Sequence, residues 1–215
     1  MTSLDLALIG NGTTSALIDA DGDVVWSCAP GFDGDPVFCA LLQNQPADAG
    51  AAGHFTIELS DWVRSEQEYM VNTPVLITRL FDRDGASVEI TDVMPRFLQH
   101  GRVFSPMMLV RQIRRTSGSP RIRIRLRPAE QYGSRAATAT SGSNHIRYQS
   151  GGLTLRLTTN ASITAVLDES VFYLNDAVTL MLGPDETVPA NVGELARHFC
   201  EETVGYWREW VRYLS

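Results

Sequence analysis

The sequence predicts an all-β fold: a large antiparallel β-sandwich, supersandwich-like, of about a dozen strands, with a C-terminal amphipathic helix. Three observations carry this. Short runs rich in β-branched and aromatic residues follow one another at close spacing up to about residue 183, with no helical stretches between them. Two of the connections, Asp21-Gly22 and Asp84-Gly85, are dipeptides suited to the tight turns of β-hairpins. From Asn191 onward the apolar period changes from strand-like to helical.

In chain order, Gly10-Asn11-Gly12 is a turn cluster. Ala16-Leu17-Ile18 and Val24-Val25-Trp26 are the arms of a hairpin around Asp21-Gly22. The loop Pro30-Gly31-Phe32-Asp33-Gly34-Asp35-Pro36 sets one aromatic and two carboxylates among backbone-shaping residues, a composition suited to presenting side chains. Residues 35–42 read as a short helix. Strands are expected at 56–59, 74–81 and 87–91, the last two joined by Asp84-Gly85. Further strands are expected at 107–115, 121–127, 145–149, 153–159, 163–167, 171–174 and 178–182, and surface loops at 47–53 and 138–143. No repeat of fixed period is present. Val192, Leu195, Phe199, Tyr206, Trp210 and Leu214 recur mostly at steps of three, four or seven, and Asn191 with Glu194 forms a capping-box pattern. The chain divides into a sandwich over 1–190 and a helix over 191–215. With no Gly or Pro stop and an aromatic last turn, that helix reads either as packed on the sandwich or as the start of a connection to a further domain.

Composition bounds the function classes. The 215 residues are 44% hydrophobic and 20% charged, with a net charge of −7. All 18 basic residues are Arg. This balance gives no general attraction to nucleic acid or to anionic lipid. The N-terminus lacks a basic region followed by an apolar one, and no run approaches the ~20 apolar residues of a membrane span, so a cytoplasmic protein is expected. Cys28, Cys39 and Cys200 form no C-x-x-C pair and read as free thiols of a reducing compartment.

Arg121, Arg123, Arg125 and Arg127 alternate with Ile122, Ile124 and Leu126, which places four guanidinium groups on one face of a strand. Without aromatics among them, a solvated sheet face or an ion-paired domain interface is the better reading than a nucleic-acid surface. Gly10-Asn11-Gly12-Thr13-Thr14 lacks the Lys of a phosphate loop and leads into a strand, so it is turn chemistry. The four His are scattered, none at i,i+4 from another, and no metal site or cofactor is expected. No G-x-S-x-G elbow occurs. Asn11-Gly12-Thr13 and Asn160-Ala161-Ser162 match glycosylation acceptors but carry no weight without an export signal.

Three blocks carry a family resemblance. Leu8-Ile9-Gly10-Asn11-Gly12 leading through Asp21-Gly22-Asp23-Val24-Val25-Trp26 to the Phe32-Asp33 pair resembles the opening of the N-terminal β-sandwich domain of the glucoamylase-like and trehalase-like enzymes of glycoside hydrolase family 15. Glu89-Ile90-Thr91-Asp92-Val93-Met94-Pro95-Arg96 resembles a strand and turn of that domain, and Thr203-Val204-Gly205-Tyr206-Trp207-Arg208-Glu209-Trp210 the helix leading into the catalytic domain. The resemblance implies a parent enzyme that hydrolyses α-glucosidic bonds with inversion, using two carboxylates on an (α/α)6 barrel that lies outside this chain. Gly31 departs from the family loop, which more often has Arg before Phe-Asp.

Inversion needs an acid and a base roughly 6.5–9.5 Å apart across the sugar. No such pair is nominated here: Asp33 and Asp35, flanking Gly34, read as turn formers and caps, and no catalytic residue is assigned. The resemblance makes the chain a non-catalytic domain that braces the barrel, with Phe32 to stack on a sugar and Asp33 to accept from hydroxyls as one wall of the substrate cleft. Asp92 and Arg96 are placed in the same wall, although four residues apart across a Met-Pro turn they also read as a local ion pair. Tyr206, Trp207 and Trp210 are the expected contacts to the catalytic domain, and their bare apolar surface would otherwise favour self-association. An α-glucan or glucoside is the expected small-molecule partner. The competing expectation is a free-standing carbohydrate-binding or protein-interaction module. A reading frame continuing for several hundred residues beyond Ser215 favours the first reading, and a stop codon there the second.

Overall fold

The structure, a computed structural model, describes residues 5–42, 51–188 and 191–213. In chain order the strands begin with β1 (Ala7–Gly10), β2 (Ser15–Ile18), β3 (Val24–Ala29) and β4 (Asp35–Phe38). Next come β5 (His54–Leu59), β6 (Trp62–Tyr69), β7 (Leu76–Asp82) and β8 (Ser87–Val93). A small hairpin, β9 (Phe97–Gln99) and β10 (Arg102–Phe104), precedes β11 (Leu109–Ser117) and β12 (Arg121–Arg127). Then follow β13 (Ala129–Glu130), β14 (Arg135–Ala136), β15 (Thr138–Ser141), β16 (His145–Ser150) and β17 (Leu153–Thr159). Helix α1 (Ile163–Leu167), β18 (Phe172–Tyr173), β19 (Val178–Pro184) and helix α2 (Val192–Arg212) complete the order.

Two antiparallel sheets form the sandwich. One runs β1-β2-β3-β5-β12-β18, with β4 also paired to β3; the other runs β15-β16-β17-β19-β11-β8-β7-β6. Strand alternation fills the space between them. Ile18, Phe38, Phe55, Ile57, Ile122 and Ile124 from the first sheet meet Leu80, Val88, Ile90, Ile113, Leu157 and Leu180 from the second in one buried cluster. The all-β sandwich expected from the sequence is therefore the observed fold, and both Asp-Gly hairpins form: β2 pairs with β3, and β7 with β8.

Residues of the opposite parity on the second sheet build a smaller core on its outer face. There Val93, Val110 and Met181 receive Val192, Ala196 and Phe199 of α2. Asn191 starts that helix, its Oδ1 accepting from the backbone N–H of Gly193 at 2.9 Å and of Glu194 at 3.3 Å. The first half of α2 is thus part of the fold. Its last turns leave Trp210 48% and Tyr213 82% exposed.

Local propensity misled at several places. Residues 163–167 form α1, not a strand, because the Ser162 hydroxyl accepts from the Ala165 N–H and caps a short turn of helix despite its β-branched residues. Residues 138–141 form the exposed edge strand β15, not a loop, their polar side chains facing solvent along an edge held by pairing to β16. Residues 35–38 are strand β4 and 40–42 a 3₁₀ turn, where a single helix was expected over 35–42. Strands β1, β9, β10, β13 and β14, all of four residues or fewer, and the polar strand β6 are absent from the expected set; β6 lies at a sheet edge with most of its side chains exposed. Part of the loop read at 47–53, and Leu214 and Ser215 of the terminal helix, lie outside the described residues.

The arginine row on β12 is ion-paired. Arg121 meets Asp61 at 2.9 Å, Arg123 meets Glu58 at 3.6 Å, Arg125 is held by Glu58 and by Glu169 at 3.3 Å, and Arg127 meets Glu169 at 2.5 Å.

Candidate functional site

The three sequence blocks meet at one corner of the sandwich, and Arg96 is the joint. Its Nη1 donates to the carbonyl of Asn11 at 2.6 Å and its backbone N–H donates to the Thr203 hydroxyl at 3.1 Å. Its guanidinium lies 5.3 Å from the Tyr206 ring and 5.8 Å from the Trp207 ring, within cation–π range. Asn11 is fully buried beneath it. Its Nδ2 donates to the carbonyls of Pro95 (3.1 Å) and Pro106 (2.7 Å), and its Oδ1 accepts from the N–H groups of Thr13 and Thr14, both at 3.0 Å. The Gly12 backbone has φ +81°, and a Cβ there would sit 3.0 Å from Arg96 Nη1, so Gly lets the guanidinium close on the turn. What reads in sequence as turn chemistry is a knot joining the β1–β2 turn, the segment after β8 and helix α2.

Over this knot lies an open recess of about 440 Å³, lined chiefly by Leu8, Gly10, Gly12, Phe32, Pro74 and Trp207. Phe32 is 60% and Leu8 55% exposed. Arg96 Nε and the Trp207 indole Nε1 are both shielded from solvent without a hydrogen-bond partner.

The loop carrying Phe32 is held rigidly at its base. Gly34 N–H donates to the Gly31 carbonyl at 3.1 Å, and a Cβ on Gly34 would lie 2.2 Å from the backbone oxygen of Ala29, so only Gly closes this turn. Asp33 and Asp35 are exposed, at the tip and at the start of β4. The structure thus brings both Phe32 and Arg96 near the Gly12 turn, with Asp33 next to Phe32 on the same loop.

Asp92 is a correction: it neither pairs with Arg96 nor reaches a cleft. It shares the inward parity of Val88 and Ile90 on β8 and is fully buried, as is Arg111 of β11. Arg111 Nε and Nη2 meet its two oxygens at 2.7 and 3.1 Å. Arg111 Nη1 also donates to the Phe55 carbonyl at 3.1 Å, Nη2 to the Gly22 carbonyl, and the guanidinium stacks 4.8 Å from the Phe55 ring. The pair is a polar rivet between the sheets. Burial raises the Asp92 carboxyl above its ordinary range, against the opposing pull of Arg111.

A second acidic group lies nearby, at the β2–β3 turn. Burial, then the charge of Asp19, pushes Asp23 well above the usual carboxylate range; Arg111 opposes this, while Asp21 and Glu58 add to it. Burial also raises Asp19. A carboxyl whose folded pKa exceeds its unfolded one holds its proton more tightly when folded, so stability is greatest below the unfolded value and declines as pH rises through the folded one. Urea unfolding between pH 4 and 7 is expected to show that decline, and D23N to flatten it and raise stability at pH 7. A D23N profile parallel to that of the parent chain would refute the assignment.

Among the described residues, no group of three or more His, Cys, Asp and Glu is disposed to hold a metal ion, and no helix is long and apolar enough to cross a membrane. Among the described residues, Cys28 and Cys200 are in no disulfide.

Comparison with known proteins agrees with the geometry. The family described as trehalase-like, N-terminal, matches residues 3–183. The chain is 38% identical over 91 residues to Trehalase 1 of Sulfolobus acidocaldarius, a match covering 42% of this chain and 15% of that protein. It is 32% identical over 100 residues to Trehalase of Thermoplasma volcanium, covering 46% of this chain and 15% of that one. The matched segment thus spans about 15% of the length of these curated relatives. With the family matched over most of its length and the motif blocks folded into a single joint, the chain belongs to the trehalase-like N-terminal domain family.

Proposed function

We propose that this chain is the non-catalytic N-terminal domain of a longer family 15 glycoside hydrolase, bracing an (α/α)6 catalytic domain and contributing Phe32 and Asp33 to the wall of its substrate cleft. The observation that supports this reading is the recess beneath Phe32, where the exposed side chains of Leu8 and Phe32 adjoin Trp207 and Val211 of α2. Tyr206, Trp207 and Trp210 are the contacts to the catalytic domain, and Arg96 fixes their angle. The parent hydrolyses an α-glucosidic bond with inversion, and trehalose is the first substrate to test because the relatives are named trehalases. A cytoplasmic setting belongs to the same reading, one in which the thiols of Cys28 and Cys200 stay reduced.

The test uses the full-length protein. F32A and D33A are each expected to lower kcat/KM on trehalose or maltose about tenfold, the equivalent of 1.4 kcal/mol, with the thermal midpoint unchanged since both side chains are exposed. Kinetics equal to the parent enzyme on both substrates would remove the cleft-wall role while leaving the bracing role standing.

A further inference from the structure

The outward edge of β1 borders the recess at Phe32, and its backbone is filled at one residue and open at the next. Strand β1 stands at the end of its sheet and pairs only with β2. The Asn11 N–H donates to the Thr14 carbonyl at 3.1 Å, so Asn11 faces the returning chain. Antiparallel alternation then turns the backbone groups of Ala7 and Ile9 toward β2 and those of Leu8 and Gly10 away from it.

Leu8 bears out that parity. The hydroxyl of Tyr69, the last residue of β6, accepts from the Leu8 N–H at 2.7 Å and donates to the Leu8 carbonyl at 2.9 Å. One side chain thus satisfies both groups that a neighbouring strand would have met, and it blocks the edge there. Gly10 has no such plug: among the described residues, neither its N–H nor its carbonyl has a hydrogen-bond partner. Gly10 lines the recess together with Leu8, Phe32, Pro74, Trp207 and Val211, so the open pair of backbone groups faces chiefly apolar walls. An extended backbone is the occupant that satisfies an N–H and a C=O of one residue at once while laying its side chains on such walls. Val211 also stands one residue before the last of α2. In the longer protein proposed above, the polypeptide that follows the helix therefore sets out from the rim of the same recess.

We propose that this recess takes an extended segment of the domain following α2, which forms a β-bridge to Gly10, with Tyr69 as the stop that ends the pairing at Leu8. This contact rests on the reading of the chain as part of a longer enzyme and specifies how the two domains meet.

Amide hydrogen exchange, resolved to single residues, compares the 215-residue chain with the full-length protein. Hydroxyl-radical labelling of the Leu8 and Phe32 side chains reports separately whether the recess is covered. Gly10 is expected to exchange about a hundredfold or more slowly in the full-length protein, and Leu8 alike in both. In the 215-residue chain, Y69F keeps the ring and should speed Leu8 exchange about tenfold, leaving Gly10 as it was. A recess covered in the full-length protein with Gly10 exchanging as in the 215-residue chain would overturn the β-bridge and leave the bracing role standing. Labelling equal in the two proteins would remove the bracing role, and the bridge with it. Gly10 protection that grows with the concentration of the 215-residue chain would give the recess to a second copy, which also overturns the proposal. Leu8 exchange unmoved by Y69F would remove Tyr69 as the stop.

Discussion

D92A is expected to destabilise the fold by about 3–5 kcal/mol, the cost of leaving a buried charge without its partner, which for a chain of this size lowers the thermal midpoint by roughly 6–20 °C. Arg111 has no solvent to turn to: it is fully buried, and its remaining bonds are to the carbonyls of Phe55 and Gly22 across the sandwich. R111M should be similarly damaging, because it strands Asp92 and removes the donor from both carbonyls. The double variant D92A/R111M is expected to recover part of the loss, since an apolar pair removes the uncompensated charge even where it leaves a carbonyl unsatisfied. Chemical denaturation of the three variants decides it. A D92A midpoint within error of the parent would mean that the rivet contributes nothing.

N11A should cost about 2–4 kcal/mol, from several buried hydrogen bonds lost at once and partly re-satisfied by water, or roughly 4–16 °C in midpoint. Two carbonyls, of Pro95 and Pro106, lose their donor, and two backbone N–H groups, of Thr13 and Thr14, lose their acceptor. N11D separates the two halves: it keeps the acceptor but sets an oxygen against the two carbonyls, so it should be no better than N11A. A further readout is the angle of α2. The Arg96 guanidinium rests on the Asn11 carbonyl and against Tyr206 and Trp207, so loosening the turn should raise the solvent exchange of the Trp207 indole. An N11D variant as stable as the parent chain would show that the knot is not held by the amide.

Asp92 and Arg96 show why the candidate site was only half legible. Four residues apart, they invite a local pairing, yet the period of two that defines β8 sends Asp92 inward with Val88 and Ile90, while Arg96 lies beyond the end of the strand. The same period places Arg111 inward with Ile113 on β11, so the sequence held the signal for a buried pair, in two strands whose adjacency it did not state. Phe32 was legible as a displayed aromatic because Gly and Pro around it exclude a core role. Its neighbours in the recess, Leu8, Pro74 and Trp207, come from distant parts of the chain and could not be read.

The sequence by itself determined the fold class, the two Asp-Gly hairpins, the capped terminal helix and the arginine stripe as a sheet face, because each depends on period, turn chemistry or a side chain acting on its own backbone within a few residues. Tertiary structure alone decided that the Gly10–Gly12 turn, Arg96 and Tyr206–Trp207 form one joint, that Asp92 is a rivet and not a cleft residue, and that β3 leaves a gap beside β5. Each of these depends on which surfaces meet once the two sheets close. Burial and hydrogen-bond satisfaction, which act between residues 80 and more positions apart in the case of Asn11, then override local propensity.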